Sequence, residues 1–139
     1  MTLFSLNNDR KVIRRNFFIY LGVVIFCIIF GLVYEYYSHN VLSYFMLLGF
    51  LFPLGLGLLP YGLLFFLKSD KGPGALTSNV YNGAVAVLTV GSYFKGVLDI
   101  YGTTREVFVI IYFSLGSIMA AIGLILYVLS LTNSGGEIK

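Results

Sequence analysis

Apolar residues in this chain do not alternate with polar ones; they run. Four stretches contain no Asp, Glu, Lys or Arg: Asn16–Tyr34, Val41–Leu67, Gly72–Phe94 and Val107–Leu131. Segments apolar on every side belong in a deep core or in lipid, and about 20 such residues cross a bilayer. Lipid offers the backbone no hydrogen-bonding partner, so each crossing must be helical. The pattern predicts four spans at residues 16–38, 41–67, 74–99 and 105–131, with a basic tail over 1–15 and a short polar tail over 132–139. The connections Glu35–Asn40, Lys68–Lys71 and Lys95–Glu106 are too short for a soluble domain. The expected fold is all-α: an integral membrane four-helix bundle built from two antiparallel transmembrane hairpins, as one domain over residues 1–139.

Composition strengthens this picture. The 139 residues are 58% apolar and 11% charged, with a mean hydropathy of +0.90. Soluble domains are nearer about 45–50% apolar and 25% charged, so the surface is expected to face lipid. The first stretch follows a basic flank, RKVIRR, as a signal peptide would. Its apolar core is too long for one and no A-x-A-like site follows, so an uncleaved span is expected.

Charge sets the expected orientation. Arg10, Lys11, Arg14, Arg15, Lys68, Lys71 and Lys139 fall on one side, and only Lys95 and Arg105 on the other. The positive-inside rule puts both termini and the middle loop in the cytoplasm. The net charge of +3 therefore has a topogenic explanation and gives no reason to expect nucleic acid. The basic tail also suits anionic lipid. Tyrosines fit an interfacial belt: Tyr34, Tyr36, Tyr37, Tyr44, Tyr93, Tyr101 and Tyr112 at the outer interface, and Tyr61, Tyr81 and Tyr127 at the inner one.

Small residues suggest helix contacts. Gly116, Ala120 and Gly123 share a face of the fourth span, and Gly83, Val87 and Gly91 a face of the third; such stripes let backbones approach closely in lipid. In the second span Gly49, Pro53, Gly57 and Pro60 lie on one face. Proline removes a backbone donor and crowds the carbonyl four residues earlier, which predicts a kink and makes Pro53 and Pro60 candidate hinges.

Polar groups inside the runs are the candidate chemistry. Ser78, Asn82, Thr89 and Ser92 follow helical spacing in the third span and form a candidate polar path; structural interhelical hydrogen bonding is the plainer role. At the outer end Glu35 and His39, the only histidine, stand four apart, and Lys95 and Asp99 form an i, i+4 pair. With Arg105 these five make a candidate outer polar cluster over an apolar interior, or a solvated rim.

Several functions are disfavoured. The chain lacks a nucleophile elbow, GxxxxGK[ST], HExxH and a strand–helix GxGxxG. One His and one Glu are too few for a closed zinc site, and Cys27, the single cysteine, pairs with nothing and suits a small buried apolar role. Four-span thiol oxidoreductases need cysteine pairs, and small multidrug-resistance transporters need a glutamate deeper in the first helix than Glu35. No catalytic residue, metal or cofactor is expected.

The stretches YEYYSHNVLSYFM, FPLGLGLLPYG and LTVGSYFKGVLDIYGTT, within residues 33–104, resemble those of small four-span membrane proteins of Gram-positive bacteria with no known activity. The resemblance implies a shared fold and a bacterial plasma membrane, and no site residue. The expected function is a non-enzymatic accessory or scaffold subunit, or a homo-oligomer, whose partners are the lipid bilayer and another membrane protein. Two alternatives stay open: a transport or channel component with a polar path along the third helix, and an outer-facing quinone or haem site using His39, Glu35 and Tyr37.

Overall fold

Among the described residues, helix occupies most of each charge-free stretch. The structure, a computed structural model, describes residues 3–38, 41–67, 74–102 and 106–134. The first helix, α1, spans Leu3–Tyr37; the second span divides into α2 (Tyr44–Leu48), a π-helical segment (Pro53–Leu58) and α3 (Leu59–Phe66); α4 spans Ala75–Ile100 and α5 spans Glu106–Ser134. There is no strand among the described residues. Four helical lengths, Arg10–Tyr37, Tyr44–Phe66, Leu76–Ile100 and Val107–Leu129, are long and apolar enough to cross a membrane. The first helix runs on through the basic segment, from Leu3, because residues 3–15 contain no Gly or Pro to stop it; the sequence pattern assigns that segment no secondary structure.

The second span shows how the two prolines are accommodated. A regular helix would drive the Pro53 ring into the Gly49 carbonyl. The chain instead turns at Gly49–Phe50 and widens into π-helix from Pro53 to Leu58, which spreads the disturbance over a turn. Ser43 starts the span: its Oγ accepts the Met46 backbone N–H at 3.4 Å, as a helix N-cap does. Gly49, Pro53 and Gly57, on the face expected from their spacing, are buried.

The helices pack in chain order. α1 lies on the second span, where Phe17 faces Gly62, Tyr20 faces Gly57 and Gly31 faces the Met46 backbone. The second span lies on α4, where Gly96 abuts the Met46 backbone and Gly49 lies under the Tyr93 ring. α5 packs chiefly along α4, with Gly83 against Met119, Gly91 against Tyr112, Gly116 against Leu88 and Gly123 against Tyr81; its Phe113 also meets Phe45 and Phe52. Both small-residue stripes are thus occupied within the chain. In the most apolar window of each span, burial is greatest in the third at 39% and least in the fourth at 11%. α4 is the hub and α5 a buttress.

α1 and α4 are the exception to close packing. They meet mainly through long side chains, Asn16, Tyr20 and Phe30 from α1 and Ser78, Asn82 and Tyr93 from α4. Their backbones stay apart, and a groove runs between them.

Candidate functional site

The groove has a polar floor at one end. Asn16 Nδ2 donates to Ser78 Oγ at 3.2 Å, and Tyr20 OH donates to Asn82 Oδ1 at 2.8 Å. From α3, Tyr61 OH shares a 2.9 Å hydrogen bond with Ser78 Oγ and donates to Asn82 Oδ1 at 3.2 Å. Asn82 Nδ2 reaches Ser78 Oγ at 3.4 Å. Five side chains from three helices close this network because a buried amide or hydroxyl is costly unless paired. Helical spacing makes it possible: Asn16 and Tyr20 stand one turn apart on α1, opposite Ser78 and Asn82 one turn apart on α4. The Tyr20 and Tyr61 rings stack with centroids 5.7 Å apart.

Above this floor the groove is apolar. It extends from Asn16 and Asn82 to Phe30 and Val97, encloses about 600 Å³, and has Pro53 at its back. Ile19, Phe26 and Val90 form exposed lips, so it opens along one side. Cys27, buried as expected, lies on its wall. At the far end Tyr93 OH donates to the Cys27 carbonyl at 2.7 Å, tying α4 to α1. A smaller groove of about 300 Å³ lies on the other side of the network, bounded by Pro60, Tyr61, Ser78, Tyr81 and Gly123.

The candidate path residues divide. Ser78 and Asn82 join the network. Thr89 Oγ1 donates to its own helix at Val85 O, 2.7 Å, and Ser92 Oγ to Phe45 O at 2.9 Å. Val85, 1% exposed, lies between the two groups. The four therefore form no continuous hydrogen-bonded line among the described residues. Two expected belt tyrosines also have other partners. Tyr61, 3% exposed, belongs to the network, and Tyr93 turns its hydroxyl inward; a phenol within an apolar stretch takes the nearest acceptor. Tyr36, Tyr37, Tyr44 and Tyr101 are exposed, as a belt requires.

The outer candidates meet at Ser43. Its backbone N–H donates to Glu35 Oε1 and its Oγ to Asp99 Oδ2, both at 3.3 Å. Asp99 Oδ1 takes Lys95 Nζ at 2.5 Å, and that ammonium lies 5.8 Å from the Phe45 ring centre. Glu35 Oε2 is buried without a hydrogen-bond partner among the described residues. His39 and Arg105, the remaining members of the candidate cluster, lie outside the described residues. Among the described residues no three His, Cys, Asp or Glu side chains group as metal ligands.

Of the candidate hinges, Pro53 opens the π-helical segment and lies behind one groove, and Pro60 stands two residues beyond its end, beside the other. Tyr20 is the site residue that composition does not single out. Its signal is the match of Asn16/Tyr20 to Ser78/Asn82, two one-turn polar pairs in separate spans.

Compared with known protein families, curated proteins and solved structures, the chain matches none. What the site can do follows from its own geometry.

Proposed function

We propose that the chain is a four-span integral membrane protein of the bacterial plasma membrane, made of two antiparallel hairpins with both termini cytoplasmic. Its function is non-enzymatic: it binds one hydrocarbon chain of a membrane-dissolved molecule in the groove between α1 and α4. The pairing of Phe17 with Gly62, Tyr20 with Gly57 and Gly31 with Met46 supports the first hairpin. The line of contacts from Gly83/Met119 to Gly91/Tyr112 supports the second.

The groove carries the functional proposal. Ligand sites enclose about 300–1,000 Å³, apolar with a few placed polar groups, and this one encloses about 600 Å³ with its polar groups at one end. From Asn16 to Phe30 the groove follows about 20 Å of helix, at about 1.5 Å per residue. That length and the apolar walls suit an extended alkyl or isoprenoid chain lying along the two helices. A helix with its side chains is about 10–12 Å across and does not fit inside.

The other functions have less support. Thr89 and Ser92 bind backbone carbonyls and leave a transport path interrupted at Val85. An accessory or self-associating subunit needs a free close-packing face, but the glycine stripes are taken. The exposed side of α5 mixes the small residues Ser114, Ser117 and Ala121 with bulky Ile110, Ile118, Ile122 and Ile125.

Filling the groove tests the proposal. Ala86 is exposed on its wall and Ala121 is exposed on α5. Native mass spectrometry of protein released from mild detergent is expected to show one retained lipid. Ala86→Trp should lower its occupancy severalfold, because the indole takes the space of the chain and removes van der Waals contacts of about 0.1–0.2 kcal/mol each, and Ala121→Trp should not. Equal retention in both variants, or equal loss, contradicts a groove site.

A further inference from the structure

The two ends of the groove differ in charge, and that difference selects a ligand. On α1 the edge residue Ile19 is followed, one turn toward the N-terminus, by Arg15, and one turn further by Lys11; both are exposed. On α4 the wall residues Asn82 and Ala86 are followed on the same face by Asn79, also exposed. Asn16 and Asn82 line the groove at this end. One N–H of the Asn82 amide reaches Ser78, and an amide has two. This mouth therefore presents a guanidinium and several amides. The other end carries Phe30, Tyr93, Phe94 and Val97, and beyond it stand Glu35 and Asp99. An amphiphile lying in the groove meets Arg15 at one end and, at the other, Glu35 and the Lys95–Asp99 ion pair.

We infer that the occupant is an anionic phospholipid of the cytoplasmic leaflet, with one acyl chain in the groove and its phosphate between Arg15 and Asn79. This rests on the proposal that the groove holds a hydrocarbon chain. Arginine matches a phosphate in two-point hydrogen bonding. Helical side chains lean toward the helix N-terminus, which carries the Arg15 guanidinium from the groove edge toward the head-group layer. The open lips let the second acyl chain stay in the bilayer, so a two-chain lipid is accommodated. Arg14 supplies an internal control. It is also exposed, but at about 100° per residue it points away from the groove.

The test is competition between phosphatidylglycerol and phosphatidylcholine with identical acyl chains in mixed micelles, read by native mass spectrometry; both carry the phosphate, and they differ in the choline cation, which Arg15 repels. The full-length protein is expected to retain phosphatidylglycerol about fivefold in preference, the worth of one cation near an anionic head group. Arg15→Gln should bring the ratio close to one, and Arg14→Gln should leave it unchanged. Equal effects of the two variants mean diffuse attraction to a basic segment and overturn the inference, as does equal retention of the two lipids. Displacement of phosphatidylglycerol by equimolar oleate would assign the site to a free fatty acid and also overturn it. In each of these cases sensitivity of both lipids to Ala86→Trp leaves the chain-binding groove standing; insensitivity removes the groove itself.

Discussion

Replacing Gly57 with alanine is expected to lower stability by about 1–3 kcal/mol, the usual cost of overpacking, and to weaken ligand retention at the same time. A β-carbon at residue 57 would run into the Tyr20 ring. That ring has little freedom to yield, because it stacks on Tyr61 and its hydroxyl binds Asn82 at 2.8 Å. One escape is to swing into the groove, which breaks the hydrogen bond and occupies ligand space. The other is to push α1 off the π-helical segment. Both damage the site. Gly55, in the same segment, has open space where a β-carbon would go, so Gly55→Ala should be neutral or slightly stabilising. Thermal unfolding in detergent, with lipid retention measured on the same samples, checks the pair. Matching behaviour of the two alanine variants would contradict the close contact of Tyr20 with Gly57.

The second large effect is expected from Asn82→Leu. Its Oδ1 accepts from both Tyr20 and Tyr61. Leucine fills a similar volume but accepts nothing. Tyr61 keeps its hydrogen bond to Ser78, whereas Tyr20 loses the one side-chain partner its hydroxyl has among the described residues. An unpaired buried hydroxyl costs about 1–3 kcal/mol, and intramembrane hydrogen bonds run about 0.6–2 kcal/mol, so a loss of about 2 kcal/mol is expected. Tyr20→Phe removes the stranded hydroxyl along with its bond and should cost less. The double variant should be less destabilised than the sum of the two, because contacting residues couple. Additivity in unfolding measurements would show that the Tyr20–Asn82 bond contributes nothing.

The four long apolar helices were legible because charge-free runs of that length admit few structures. Ser78 and Asn82 stood out because a polar side chain in such a run needs a partner. What the partner is depends on residues about sixty positions away, so Tyr20 and Tyr61 did not stand out from other aromatic residues in apolar runs. The glycine stripes announced close packing but not whether the neighbour is internal, and α4 and α5 use them on each other. The prolines announced irregular helix in the second apolar stretch, but not that it widens into π-helix from Pro53 to Leu58. The groove had no sequence signature of its own. It arises where side chains from two spans are long enough to touch while their backbones stand apart, a relation between residues such as Tyr93 and Cys27 that no local pattern encodes. Glu35 and Asp99 were visible as candidates, but Ser43, which joins them, looked like an ordinary turn residue.

The most direct test of a chain-binding groove is photolabelling. The full-length protein in lipid nanodiscs is exposed to a phospholipid carrying a diazirine midway along one acyl chain, irradiated, digested and mapped by mass spectrometry. Labels are expected to concentrate on the groove walls, at Val23, Cys27, Ala86 and Val90, and to fall when unlabelled lipid of the same kind is added in excess. Labels spread evenly over the exposed faces of α1 and α5, and indifferent to competitor, would show that the groove holds no more than the surrounding bilayer and would contradict the central claim.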